Sequence, residues 1–187
     1  MIRYKNKGIL FWITGLSGSG KTSIAKKIHK QIIKKYGPTL LINGDEIRKI
    51  FHLKGYSFSE RKKIGFTYSK FFKKMTEQKI NVLFAGVVLI KKIRIWNKKN
   101  IKNYCEIYIK SDLKKIIKKK YKSLYKKTND IVGIKIKSEF PSNPDIIIKN
   151  NFEKKINILS QELLKKIEKK IDNEKIIKNE NFKILIK

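Results

Sequence analysis

Along the chain, short unbroken apolar runs alternate with longer stretches in which apolar residues recur every three or four positions. The runs Ile9–Thr14, Thr39–Asn43, Asn81–Val88, Tyr104–Ile109 and Asp145–Lys149 predict strands. Between them, Ser19–Tyr36, Glu46–Phe51, Ser59–Gln78, Ile95–Asn103 and Leu113–Tyr125 predict helices. Asn151–Ile171 predicts an amphipathic helix with Ile156, Leu159, Leu163, Leu164 and Ile167 on one face. Gly37-Pro38 predicts a turn, and Thr128–Pro144 a loop-rich stretch holding two prolines. Residues 172–187 predict a loosely held tail, with an edge strand over Phe182–Ile186 as the alternative. Strand and helix in alternation imply an α/β fold, a central parallel sheet with helices on both faces. Residues 1–171 are expected to form a single domain and 172–187 its C-terminal tail.

The first strand runs straight into Gly-Leu-Ser-Gly-Ser-Gly-Lys-Thr at 15–22, a complete G-x-x-x-x-G-K-[ST] phosphate loop in its proper strand-to-helix context. This sharpens the fold expectation to a three-layer P-loop NTPase. Glycines permit close backbone approach, and the loop amides point at phosphate oxygens. Gly15, Ser17, Gly18, Ser19, Gly20, Lys21, Thr22 and Ser23 are therefore the expected ATP-binding residues. Lys21 would reach the β- and γ-phosphates as a catalytic cation, and the Thr22 hydroxyl would bind Mg²⁺.

In open parallel sheets ligands sit beyond the carboxyl ends of the strands. Asp45 follows a strand and a glycine at such an end, with Arg48 one helical turn on. The carboxylate can orient Mg²⁺ or accept the proton of an attacking hydroxyl, and Arg48 can hold an anionic group. A capping aspartate beside a solvent arginine is the plainer alternative. Gly55–Arg61 adds Tyr56, Phe58 and Arg61 near a helix start. Aromatic faces stack bases and arginine binds phosphates, against the alternative of Ser59 as an ordinary N-cap with packed aromatics. His29 and His52 have no metal-ligand spacing with other residues.

Charge changes this picture less than its size suggests. The chain of 187 residues has a formal charge of +32. Lysine is spread along its whole length, and the company of Ile and Asn points to A/T-rich codons rather than to a nucleic-acid surface. Only non-specific nucleic-acid adhesion at low salt is expected. Arginine is the contrast: four of the 47 basic residues, Arg3, Arg48, Arg61 and Arg94. A guanidinium offers a planar fork that ammonium does not, so Arg48 and Arg61 mark candidate anion contacts. Cys105 is the sole cysteine, which excludes an intrachain disulfide and a cysteine-based zinc site. The N-terminal apolar stretch is a strand rather than a signal, and no run is long enough to span a membrane. No membrane association and a cytoplasmic location are expected.

Taken in order, these residues resemble the adenylylsulfate kinase family, over residues 8–170. The resemblance is carried by the loop at 15–22, Gly44-Asp45 with Arg48, and Arg61. Lys122–Tyr125, Gly133-Ile134 and Pro141–Pro144 add to it. It implies transfer of the ATP γ-phosphate to the ribose 3′-hydroxyl of a nucleotide, adenylylsulfate first among acceptors, by a homodimer. It implies that Asp45 helps activate that hydroxyl and organise Mg²⁺. Arg48 and Arg61 would hold the acceptor's anionic bridge, and Lys122 would belong to a lid. Phe58 and Ile131 join the acceptor side, Ile131 standing where the family's phenylalanine sandwiches the adenine. The chain departs from the family at Asn43, where a carboxylate is replaced. It departs again at Gly86–Leu89, which lacks serine and proline, at Lys119-Lys120 and at Asp130–Lys135. Arg94–Asn97 and Asn103-Tyr104 resemble a divergent branch that includes a kinase of cytidine diphosphoramidate, the alternative acceptor. A nucleotide-binding protein without catalysis and a basic nucleic-acid module are the readings from other classes.

Overall fold

The computed structural model describes residues 8–119 and 138–184. Five parallel strands form one sheet: β1 (Leu10–Thr14), β2 (Thr39–Asn43), β3 (Asn81–Gly86), β4 (Tyr104–Lys110) and β5 (Ile146–Lys149). Their order is β2-β3-β1-β4-β5, with β1 central. The register sets Thr14 beside Gly86 and Tyr108, so the ends of β1, β3 and β4 are level. The helices are α1 (Lys21–Tyr36), α2 (Gly44–Ile50), α3 (Phe58–Glu77), α4 (Lys91–Asn100), α5 (Leu113–Lys119) and α6 (Ile156–Ile184).

The unbroken apolar strand runs follow from burial on both faces of the sheet. On β1, Phe11 and Ile13 join a core with Ile24 and Ile28 of α1 and Leu159, Leu163 and Ile167 of α6. Leu10 and Trp12, one residue out of phase, face the opposite core with Tyr68 and Phe72 of α3 and Ile93 of α4. Trp12 lies 4.5 Å from Phe84 between ring centroids. Each such buried side chain contributes about 2 kcal/mol.

Boundaries move where caps decide them. β3 stops at Gly86, two residues short of the expected Val88, because the chain leaves the sheet there to line the cleft. α4 starts at Lys91 rather than Ile95, since the Lys91 amide donates to the Glu139 carboxylate at 2.6 Å and the Arg94 amide to Ile90 O. Ser57, not Ser59, caps α3, in a reciprocal capping box with Glu60. α6 continues to Ile184 as one helix, past the expected end at Ile171, so residues 182–184 form no edge strand.

Candidate functional site

The loop after β1 rises from the level carboxyl ends of the sheet and turns into α1. Gly18 and Gly20 have φ of 75° and 91°, a region closed to most side chains, and this lets the loop curl round a ligand-sized hollow. Gly20 caps α1 without a side-chain bond, so the first amides of that helix are free to meet an anion. Asn150, just beyond β5, holds the loop from behind. Its amide donates to Ser19 O at 3.0 Å and its carbonyl accepts from Phe152 N at 3.0 Å. Lys21 is buried, with Nζ donating to Leu16 O at 2.6 Å. Burial lowers its pKa to about 8, and the nearby Asp45 carboxylate acts in the opposite direction.

A cleft of about 260 Å³ opens against this loop, lined by Ser17, Gly18, Gly20, Lys21, Thr22 and Ser23 on one side. Asn43, Gly44, Asp45, Gly86 and Val87 line the other. Asn43 caps α2 by accepting from the Asp45 amide at 2.9 Å, which fixes where the Asp45 side chain starts. The Asn43 amide also reaches Thr22 Oγ1, at 3.4 Å.

Asp45 and Gly44 line a second, smaller pocket of about 40 Å³ as well, together with Arg48, Arg61 and Tyr68. Arg48 comes from α2, one turn after Asp45. Arg61, Ile64, Gly65 and Tyr68 lie along one face of α3, at the helical spacings of three, four and seven. The arginines are held by the connecting loop. Arg48 donates to Leu53 O and Gly55 O at 3.2 and 3.0 Å, and Arg61 to Tyr56 O at 2.7 Å. Both guanidinium groups also stand against the Tyr56 ring, 4.8 and 5.3 Å from its centre. Two cations thus flank a single carboxylate at the junction of the two hollows.

The expected residues divide accordingly. Ser17, Gly18, Gly20, Lys21, Thr22, Ser23 and Asp45 meet around the larger cleft, and Asp45, Arg48 and Arg61 around the smaller. Gly15 and Ser19 support the loop from outside that lining. Phe58 is exposed at the first turn of α3 and lines neither hollow, whereas Tyr56 contacts both arginines. Lys122 and Ile131 lie outside the described residues. Arg94 stays away from both hollows, ion-paired to Glu106 at 2.8 Å beneath α4. Burial raises the Glu106 pKa to about 7 despite that arginine. Tyr68 and Asn150 escaped the sequence analysis. Tyr68 carried a usable signal, its spacing of seven from Arg61, while the bond from Asn150 to Ser19 joins residues 131 apart in the sequence and left none.

A parallel sheet with a glycine loop entering α1 defines a P-loop NTPase fold. A profile of adenylylsulphate kinase matches residues 7–149. The cytidine diphosphoramidate kinase of Campylobacter jejuni is 32% identical over 168 residues, covering 85% of this chain and 98% of its own. The adenylyl-sulfate kinase of Buchnera aphidicola from Schizaphis graminum is 32% identical over 170 residues, covering 82% and 80%. The Mycobacterium tuberculosis APS kinase, solved in complex with AMPPNP and APS, superposes with a TM-score of 0.77 at 23% identity, over 87% of this chain and 99% of its own. The chain belongs to the adenylylsulphate kinase family and is a phosphotransferase. Among the described residues no helix is long and apolar enough to cross a membrane.

Proposed function

We propose that the protein transfers the γ-phosphate of ATP to the ribose 3′-hydroxyl of a nucleotide acceptor. The observation that carries this reading is Asp45, shared between a triphosphate-sized cleft and a small arginine-lined pocket. ATP lies along the loop with Lys21 on its β- and γ-phosphates, and the acceptor's anionic bridge lies between Arg48 and Arg61. Asp45 then accepts the proton of the 3′-hydroxyl as it attacks in line. Catalysis is chiefly positioning and charge neutralisation.

Mg²⁺ fits this site. Thr22 and Asp45 line one cleft, and Mg²⁺ in kinases is held by one or two carboxylates together with substrate phosphates and water. When bound it neutralises charge on the transferring group. Asn43, which replaces a family carboxylate, leaves Asp45 as the acidic side chain lining the cleft.

Adenylylsulfate is the first acceptor, from the family and the Buchnera relative, with sulfate assimilation as the setting. Cytidine diphosphoramidate is the second. The near-complete coverage of the Campylobacter jejuni enzyme and the Arg94–Asn97 segment favour it. The reading brings with it one kinase domain over residues 1–171, a homodimer and a cytoplasmic location. Purified protein incubated with ATP, Mg²⁺ and each acceptor separately, followed by mass spectrometry and ³¹P NMR, tests it. One phosphoryl group added at the 3′-oxygen of either acceptor supports it. ATP bound with both acceptors unchanged supports a nucleotide-binding protein without catalysis instead.

A further inference from the structure

The small pocket contains a polar group that neither the motifs nor the proposed chemistry uses. Tyr68 is 4% exposed and lines the pocket with Asp45, Arg48 and Arg61. Its ring is fixed by neighbours, nearly parallel to Phe72 at 6.0 Å and tilted against Phe84 at 5.7 Å. Packing alone at this position asks for another phenylalanine, since a buried hydroxyl costs stability unless it is well bonded. The Tyr68 hydroxyl has a carbonyl in reach, Gly44 O at 3.5 Å. That is longer than the roughly 2.5–3.0 Å of a good O–H···O bond, so most of its donor strength remains available.

The surroundings identify what it would meet. The hollow of about 40 Å³ is a few times the space one water needs, room for a small polar group. Arg48 and Arg61 make it a place for an anion. Burial pushes the phenol pKa up to about 12, with Arg48 lowering it and Asp45 raising it further. The hydroxyl therefore stays protonated, as a donor, through the neutral range.

We infer that Tyr68 is a further acceptor-binding residue, donating a hydrogen bond to an anionic oxygen of the acceptor's phosphate or sulfate bridge alongside Arg48 and Arg61. The inference rests on the nucleotide-kinase reading. Either acceptor presents an anionic oxygen that can accept this bond, and a bond to a charged group adds affinity for both.

Tyr68→Phe removes the hydroxyl and keeps the ring. Steady-state kinetics with adenylylsulfate and with cytidine diphosphoramidate, and thermal unfolding, compare it with the unaltered protein. The acceptor KM should rise about tenfold or more, the loss typical of a bond to a charged group. The ATP KM should stay within about twofold. An unchanged acceptor KM overturns the inference, as does an equal loss in the ATP and acceptor parameters. If the unaltered protein phosphorylates neither acceptor, the kinase reading fails and Tyr68 loses its role with it. An active parent with an indifferent Tyr68→Phe overturns the inference alone.

Discussion

The two halves of the site are built in different ways. The larger cleft, the proposed ATP side, is mostly backbone: a loop of eight consecutive residues, positive-φ glycines, and helix amides at the end of the central strand. The smaller hollow, the proposed acceptor side, is mostly side chains, brought from α2, one face of α3 and the segment after β3. A backbone site of this kind holds its glycines fixed, because φ of 75° and 91° is closed to most side chains. A side-chain site is rewritten by single substitutions. The loop keeps the whole phosphate-binding motif, whereas the departures at Asn43, Gly86, Val87 and Val88 line the two hollows from the other side.

The largest separation between the halves should come from Lys21→Ala. It removes the cation from the phosphate cleft and should lower kcat/KM for ATP about a thousandfold or more, the scale of losing preorganised transition-state charge. Acceptor binding, measured by calorimetry without ATP, should hardly change. Equal damage to both would mean that the two hollows are not separable.

Arg48→Lys keeps the charge and removes the fork, including the bonds to Leu53 O and Gly55 O. It should raise the acceptor KM about tenfold with the ATP KM nearly constant. An acceptor KM equal to that of the parent would take Arg48 out of the site.

A third effect is a pH dependence confined to the proposed ATP side. The folded Lys21 pKa of about 8 lies below the ordinary 10.5. Burying its charge therefore costs stability most fully below pH 8, and that cost is relieved as pH rises from about 8 toward 10.5. On the proposed reading function runs the other way: the ammonium that would meet the phosphates is lost in the free protein above about pH 8. The kcat/KM for ATP should fall above that pH by up to about tenfold per unit, and Lys21→Arg should abolish that limb. A profile flat to pH 9.5 would show that Lys21 keeps its charge without ATP.

The same contrast explains what could be read from the chain. The strands were legible because two-sided burial leaves apolar runs, and the loop because its chemistry is contiguous. The face of α6 was legible from Leu159, Leu163 and Ile167, all fully buried. The start of α4 was not, because Glu139, distant in sequence, supplies the bond that starts it. Tyr56 and Phe58 are both aromatic and lie two residues apart, so the sequence does not separate their roles. Only the fold decides which one stands against Arg48 and Arg61. Asn150 was invisible for the same reason.

Everything converges on the carboxylate that both hollows share. Asp45→Asn keeps the size of the side chain and the backbone bond to Asn43, and removes the negative charge. Acceptor-dependent ADP release by this variant, with ATP affinity measured in parallel, is the most direct test. A fall in kcat of about a hundredfold or more, with ATP affinity within about threefold of the parent, is predicted for the loss of a general base. Turnover within about threefold of the parent would contradict the account, because the residue joining donor to acceptor would then have no part in the transfer.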